Sequence, residues 1–267
     1  MRIDFHFHYI REKGFVEKAL RSMDEAEIDK ALLVAFDNYV FKMIGDQQCG
    51  DNEEVLQAVK AYPTRFMGCM YIDPRDDETL ATIDKYFQEG FKCIKMHPTV
   101  GYYPNDPRWD PVYEHIGELG LPILIHGGWT ESYILEGRER RYLNSAFALP
   151  EYIDYPARKH ENIDFVVAHL AQPYFMQAYS LADHNPNVYL DISLRYPQKD
   201  ILAKFCENVN IFDFLDSNRL VWGTDNWCSH SESIEENIRF FERVNIAEKY
   251  YEAIFGGTAA KILDIFQ

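Results

Sequence analysis

His6 and His8 are separated by a single residue near the start of the chain. On a strand that spacing points both imidazoles the same way, close enough for their nitrogens to reach one ion at about 2.0–2.1 Å. A catalytic zinc needs further nitrogen or oxygen donors and an open position for water, and His126 and Asp225, each closing a short apolar run, are the natural additions. An ion so held lowers the pKa of its water toward about 7 and supplies hydroxide at neutral pH. His169 is then left as a proton acceptor or oxyanion donor, and Asp225 can also take a proton. A lone strand histidine is ordinarily a hydrogen-bonded core residue. Five of them, His6, His8, His97, His126 and His169, all near the ends of apolar runs, would each need a separate buried partner under that reading.

These side chains come from distant parts of the chain, so the fold must bring strand ends together. Short runs rich in Val, Ile, Leu and Phe predict eight strands, over 2–8, 31–36, 66–73, 91–98, 121–127, 164–171, 188–193 and 219–225. Amphipathic segments predict helices over 15–27, 52–61, 78–89, 107–119, 149–160, 174–184 and 199–216, then 233–244, 247–255 and 258–265. Eight strands alternating with helices make a (β/α)8 TIM barrel, whose active sites lie at the C-terminal ends of the strands. An open doubly wound sheet is the competing fold, but no G-x-G-x-x-G follows the first strand. No Pro/Gly/Ser-rich linker divides the sequence, so one barrel domain over 1–267 is expected. Strand alternation sorts Ile3, Phe5 and Phe7 against Asp4, His6 and His8, and Val166, Ala168 and Leu170 against Val167 and His169. The apolar set of each strand is expected to face the helices and the ionisable set the barrel interior.

Asp4-Phe-His6-Phe-His8, Lys95-Met-His97-Pro98, Ile125-His126-Gly127-Gly128, Ala168-His169-Leu170 and Gly223-Thr224-Asp225 occur in this order. In that ordered set the chain resembles the amidohydrolase superfamily, and within it the amidohydrolase-related group that includes aminocarboxymuconate-semialdehyde decarboxylase. The resemblance implies a (β/α)8 barrel with His6, His8, His126 and Asp225 on one divalent metal, usually zinc, and His169 as the catalytic imidazole. Imidazole and carboxylate also suit Mn2+ or Fe2+. In binuclear members a strand-four lysine is carboxylated and bridges two metals. Lys95 stands at that position; without the bridge it is expected to pair with Asp4 or hold a substrate anion. The group contains hydrolases, lactonases and nonoxidative decarboxylases. The sequence is shorter than the decarboxylases of the group, which leaves less room for long substrate loops. Thr258 stands where the family's final Gly-Asn-Ala turn often has Asn, a helix start that Thr can cap.

Loops after the strands supply the candidate substrate contacts His97, Trp129, Arg195 and Trp227, with Tyr102 and Tyr103 nearby. His97 precedes Pro98, so it either touches substrate or anchors the loop. A guanidinium fork makes Arg195 the best match for a substrate carboxylate. The segment 129–147 is a candidate lid, and its Arg138-Glu139-Arg140-Arg141 run reads as a solvated face. Asp191 is expected either to orient a ligand histidine or to pair with Lys95. His230 follows Asp225 closely and is a weaker pocket candidate.

The 267 residues carry 27 basic and 43 acidic side chains, a net charge of −16, which gives no general attraction to nucleic acid or anionic lipid. No apolar run is long enough to span a bilayer and no secretory signal opens the sequence, so a cytoplasmic location is expected. Five scattered cysteines without a C-x-x-C pair are expected to be reduced. The expected partner is a small-molecule substrate; the group often dimerises, which makes a homodimer one candidate assembly, but the sequence does not fix the oligomeric state. Three functions fit. The leading one is a metal-dependent hydrolase of a small C–O or C–N substrate through a metal-activated water. The others are a nonoxidative decarboxylase at the same metal and an inactive ligand-binding barrel.

Overall fold

The structure is a computed structural model and describes residues 1–36, 49–130, 143–195, 197–225 and 230–265. Its centre is one parallel sheet of eight strands in chain order, β1 (Ile3–His8), β2 (Lys30–Val34), β3 (Phe66–Tyr71), β4 (Cys93–Met96), β5 (Ile123–Ile125), β6 (Phe165–Val167), β7 (Val188–Asp191) and β8 (Leu220–Val221). The ring closes between its ends: the Phe5 amide donates to the Trp222 carbonyl at 3.1 Å and the Asp225 amide to the His6 carbonyl at 2.6 Å. Around it lie α1 (Phe15–Glu25), α2 (Asn52–Ala61), α3 (Thr79–Gln88), α4 (Asp110–Glu118), α5 (Glu151–Lys159), α6 (Phe175–His184), α7 (Gln198–Cys206) and α8 (His230–Arg243). The expected (β/α)8 architecture is present.

The helices form where the sequence gives them a start and an apolar stripe. Asp51 accepts from the Glu54 amide while the Glu54 side chain accepts from the Asp51 amide, a reciprocal cap that starts α2 at Asn52. In α1, Phe15, Ala19 and Met23 recur every four residues and are the buried set. The segment expected to be one helix over 199–216 instead stops at Cys206, and a 3-10 turn, Ile211–Asp213, follows after Asn210 caps it through the Phe212 amide. Asn favours such caps over helix interiors, which explains the break.

Two apolar layers make the core. The larger lies between sheet and helices and takes Phe7, Ile94, Met96, Ile123, Ile125, Val167 and Trp222 from the strands. The smaller fills the barrel and includes Ile3, Phe5, Leu32, Cys69, Cys93, Val166 and Ala168, with Ala259, Ala260 and Ile262 of a last helix, α9 (Thr258–Ile262), packed against it. This corrects the strand sorting twice. In β1 the register with β2 shifts between Asp4 and Phe7, so Ile3 and Phe5 lie inside the barrel and only Phe7 joins the helix layer. Filling the interior with Phe5 is worth about 2 kcal/mol of apolar burial. In β6 it is Val166 and Ala168 that face inward while Val167 joins the helix layer, the reverse of the expected sorting, and the strand ends at Val167 rather than at 171. Thr258 does not cap α9; its hydroxyl donates to the Asn218 carbonyl at 3.2 Å, just ahead of β8. Among the described residues Cys69, Cys93 and Cys206 are free thiols, and no helix is long and apolar enough to cross a membrane.

Candidate active site

The irregular strand ends place the polar side chains. After the β1 register shift, His6 and His8 both reach the barrel mouth. Asp4 turns away from it and clamps the end of β8, accepting from the Thr224 amide at 3.1 Å and the Thr224 hydroxyl at 2.6 Å. Gly223 is required at this junction, since a Cβ there would lie 2.5 Å from the His6 Cβ and 2.8 Å from its backbone nitrogen. Asp225 follows in the left-handed region, φ 48°, as does His169 with φ 58° after β6. Non-glycine residues in that region cost about 1–3 kcal/mol each and cluster where function over-determines the backbone.

The side chains converge. His6 Nε2 and His8 Nε2 are 3.2 Å apart, and each is 3.2 Å from Asp225 Oδ1. The other Asp225 oxygen, Oδ2, lies 3.8 Å from His169 Nδ1 and 3.6 Å from Arg195 Nη2. The five imidazoles line the mouth as a run of neighbouring rings: His97 stacks on His126 at 4.0 Å, His126 lies 5.2 Å from His169, His169 5.2 Å from His6, and His6 5.0 Å from His8. Burial, reinforced by the nearby Lys95 ammonium and opposed by Asp225 and Asp191, pulls the His6 pKa down from an ordinary 6.5 to about 4. Burial likewise lowers His8, His97 and His126. Burial alone would raise Asp225, but the imidazoles of His169, His6 and His8 outweigh it and hold the carboxyl well below its usual range.

This set fits a divalent ion. A tetrahedral ion about 2.0–2.1 Å from its ligands keeps them about 3.3 Å apart, and the three donors stand at 3.2 Å. The lone pairs are available as well. His6 Nδ1 is 2.7 Å from Asp191 Oδ2, an acceptor, so Nδ1 carries the proton and the Nε2 lone pair faces His8 and Asp225, with Lys95 Nζ 3.1 Å from it. His126 Nε2 is buried without a hydrogen-bond partner among the described residues. It is not among the donor atoms of His6, His8 and Asp225 that lie within 4.8 Å of one another.

A family model described as amidohydrolase matches residues 3–265. The chain belongs to the amidohydrolase family. This makes it an enzyme of a metal-dependent superfamily. Among solved structures, an uncharacterised TIM-barrel protein from Bordetella bronchiseptica is similar at 20% identity, covering 98% of each chain, with TM-score 0.74. A probable 2-pyrone-4,6-dicarboxylic acid hydrolase from Acinetobacter baumannii with citric acid bound is similar at 16% identity, over 98% of this chain and 99% of that one, TM-score 0.66. A 5-carboxyvanillate decarboxylase from Novosphingobium aromaticivorans, complexed with manganese and a nitrobenzoic acid, is similar at 17% identity, over 99% and 96%, TM-score 0.61. At these identities the likeness is one of fold. No curated protein matches the sequence.

The rest of the amidohydrolase mouth departs from expectation in part. Lys95 does not pair with Asp4, which is occupied by Thr224 and approached by His230 at 3.3 Å on the other side of β1. Its ammonium instead sits 3.1 Å from His6 Nε2, and burial, opposed by Asp225, lowers its pKa. Asp191 pairs with His6, the orienting role of the two alternatives. His97 is buried, with Nδ1 held 2.7 Å from the Thr99 hydroxyl, and Tyr102 is buried too. Trp129 is 60% exposed, its indole nitrogen donating to the Tyr174 hydroxyl at 3.0 Å. Arg195 donates to the Asp225 carbonyl at 3.0 Å. Trp227, the 138–141 run and most of the candidate lid lie outside the described residues. Sequence reading missed Ser193, whose hydroxyl lies 3.0 Å from His169 Nδ1 and donates to Asp191 Oδ2. The signal was there as D-x-S-x-R, Asp191, Ser193 and Arg195 alternating off the end of β7.

Proposed function

We propose that the chain is a metal-dependent hydrolase, with zinc as the preferred ion, acting on a small substrate through cleavage of a C–O or C–N bond at a carbonyl. The observation that carries the reading is the convergence of His6 Nε2, His8 Nε2 and Asp225 Oδ1 at 3.2 Å beside a third imidazole, His169. When bound, a divalent ion supplies a Lewis acid and a water acidified to near neutral pH. His6, His8 and Asp225 would hold it, and His126, outside that cluster but with Nε2 buried and without a partner among the described residues, would be the fourth donor; Mn2+ or Fe2+ are the other ions such a donor set accepts. Asp225, kept ionised by its imidazole neighbours, takes the proton of the attacking water through Oδ2. His169, beside Asp225, would relay that same proton to the leaving group through Nε2. Arg195 and His97 orient the substrate from the mouth, with the exposed Trp129 as a further contact. Lys95 stays an amine against His6 in this reading; a carboxylated Lys95 bridging a second ion predicts two metals per chain in place of one.

A substrate panel decides the reaction. Zinc-loaded protein, and in parallel manganese- and iron-loaded protein, is offered esters, lactones and amides in one arm and aromatic carboxylic acids with CO2 detection in the other. Hydrolysis without CO2 release is the expected result. CO2 release with no ester, lactone or amide turnover overturns it in favour of a nonoxidative decarboxylase, and metal binding without turnover in either arm points to an inactive ligand-binding barrel.

A further inference from the structure

The continuation of β7 sends one side chain to the mouth at every second position. Asp191 meets His6, Ser193 meets His169 and Arg195 meets Asp225. Ser193 is buried and spends its donors on Asp191: the amide donates to Oδ1 at 2.8 Å and the hydroxyl to Oδ2. A hydroxyl has one proton, so toward His169 Nδ1, 3.0 Å away, the Ser193 oxygen can only accept. The Ser193 carbonyl, 3.3 Å from the same nitrogen, is an acceptor as well. Nδ1 of His169 therefore carries a proton, which leaves Nε2 as the nitrogen that can present a lone pair. The same carboxylate fixes the same tautomer in His6.

We propose that Ser193 is a positioning residue that holds His169 in its Nδ1–H form and yokes it through Asp191 to His6, so that both rings present Nε2 as the basic nitrogen. This deepens the proposed function and rests on His169 being its proton-handling imidazole. A hydroxyl that served packing alone would affect stability and leave the tautomer untouched.

The test is ring nitrogen NMR of the full chain labelled with 15N-histidine, with His169 assigned by its loss in His169→Gln. Wild type, Ser193→Ala and Ser193→Thr are compared, both zinc-loaded and after EDTA treatment. The expected result is a single Nδ1–H tautomer for His169 in wild type, a mixture of tautomers in Ser193→Ala, and recovery in Ser193→Thr. For any substrate that the panel yields, kcat falls about tenfold in Ser193→Ala at unchanged KM. If Ser193→Ala does not fold, Ser193→Cys, whose sulfur is a weak acceptor, is expected to show the mixture instead. An Nε2–H tautomer in wild type, or an unaltered wild-type pattern in the variant lacking the hydroxyl, overturns the proposal. Zinc content of the same samples separates the two ideas: absence of metal with the expected tautomers removes the metal reading and leaves the role of Ser193 standing.

Discussion

His6 carries the largest share of the site's logic at the scale of single residues. Its Nδ1 proton is committed to Asp191, and its Nε2 is aimed at His8 and Asp225. Its depressed pKa has a consequence for folding. The unfolded chain takes up a proton near pH 6.5 while folded His6 resists until about pH 4, so the unfolded state binds more protons across that window. Stability is full above about pH 6.5 and falls as the pH drops toward 4, by about 3 kcal/mol from His6 alone. His97 and His126 shift in the same direction and add to the slope. Calorimetry of EDTA-treated protein is expected to show the melting temperature declining steadily between pH 7 and pH 4.5; a flat profile there would contradict the buried neutral imidazoles. The candidate site residues could be picked from the sequence because H-x-H, a strand-ending His and a strand-ending Asp are chemically specific, and the fold brings His6, His8 and Asp225 together. The partner of Lys95 could not be, because the β1 register shift that turns Asp4 away leaves no mark in the alternation of Asp4, His6 and His8.

Elements turn that list of residues into a geometry, and here the sequence was legible in kind more than in detail. All eight strands begin within two residues of their expected starts, because apolar runs bounded by polar segments report strands well. The ends differ, as at β6, where left-handed His169, Leu170 and Ala171 end the extended run four residues early. Chain period cannot show a residue whose φ is fixed by tertiary contacts, and these positions include the candidate catalytic residues His169 and Asp225. The β8–β1 junction gives an expected outcome. In Gly223→Ala the added methyl meets the His6 backbone, which the Asp225 amide bond to the His6 carbonyl prevents from moving freely. We expect zinc affinity to fall at least tenfold while circular dichroism stays that of a folded barrel; unchanged affinity would mean the junction does not position His6.

Across the whole molecule, the barrel explains how residues from 6 to 225 share one mouth, with α9 packed against its apolar interior. Barrel and mouth were legible from strand count and order; the substrate was not, because specificity is a property of loop shape. The net charge of −16 acts at this scale as well. Self-repulsion that salt screens should destabilise the compact state, so the melting temperature is expected to rise by a few degrees between about 0.01 M and 0.5 M NaCl. A fall would mean that surface ion pairs outweigh the net charge. Most direct for the central claim is elemental analysis of gently purified protein beside His6→Ala and Asp225→Ala. The account predicts about one divalent ion per wild-type chain, zinc foremost, and its loss from both variants. Wild-type protein that takes up no metal even on reconstitution would contradict it.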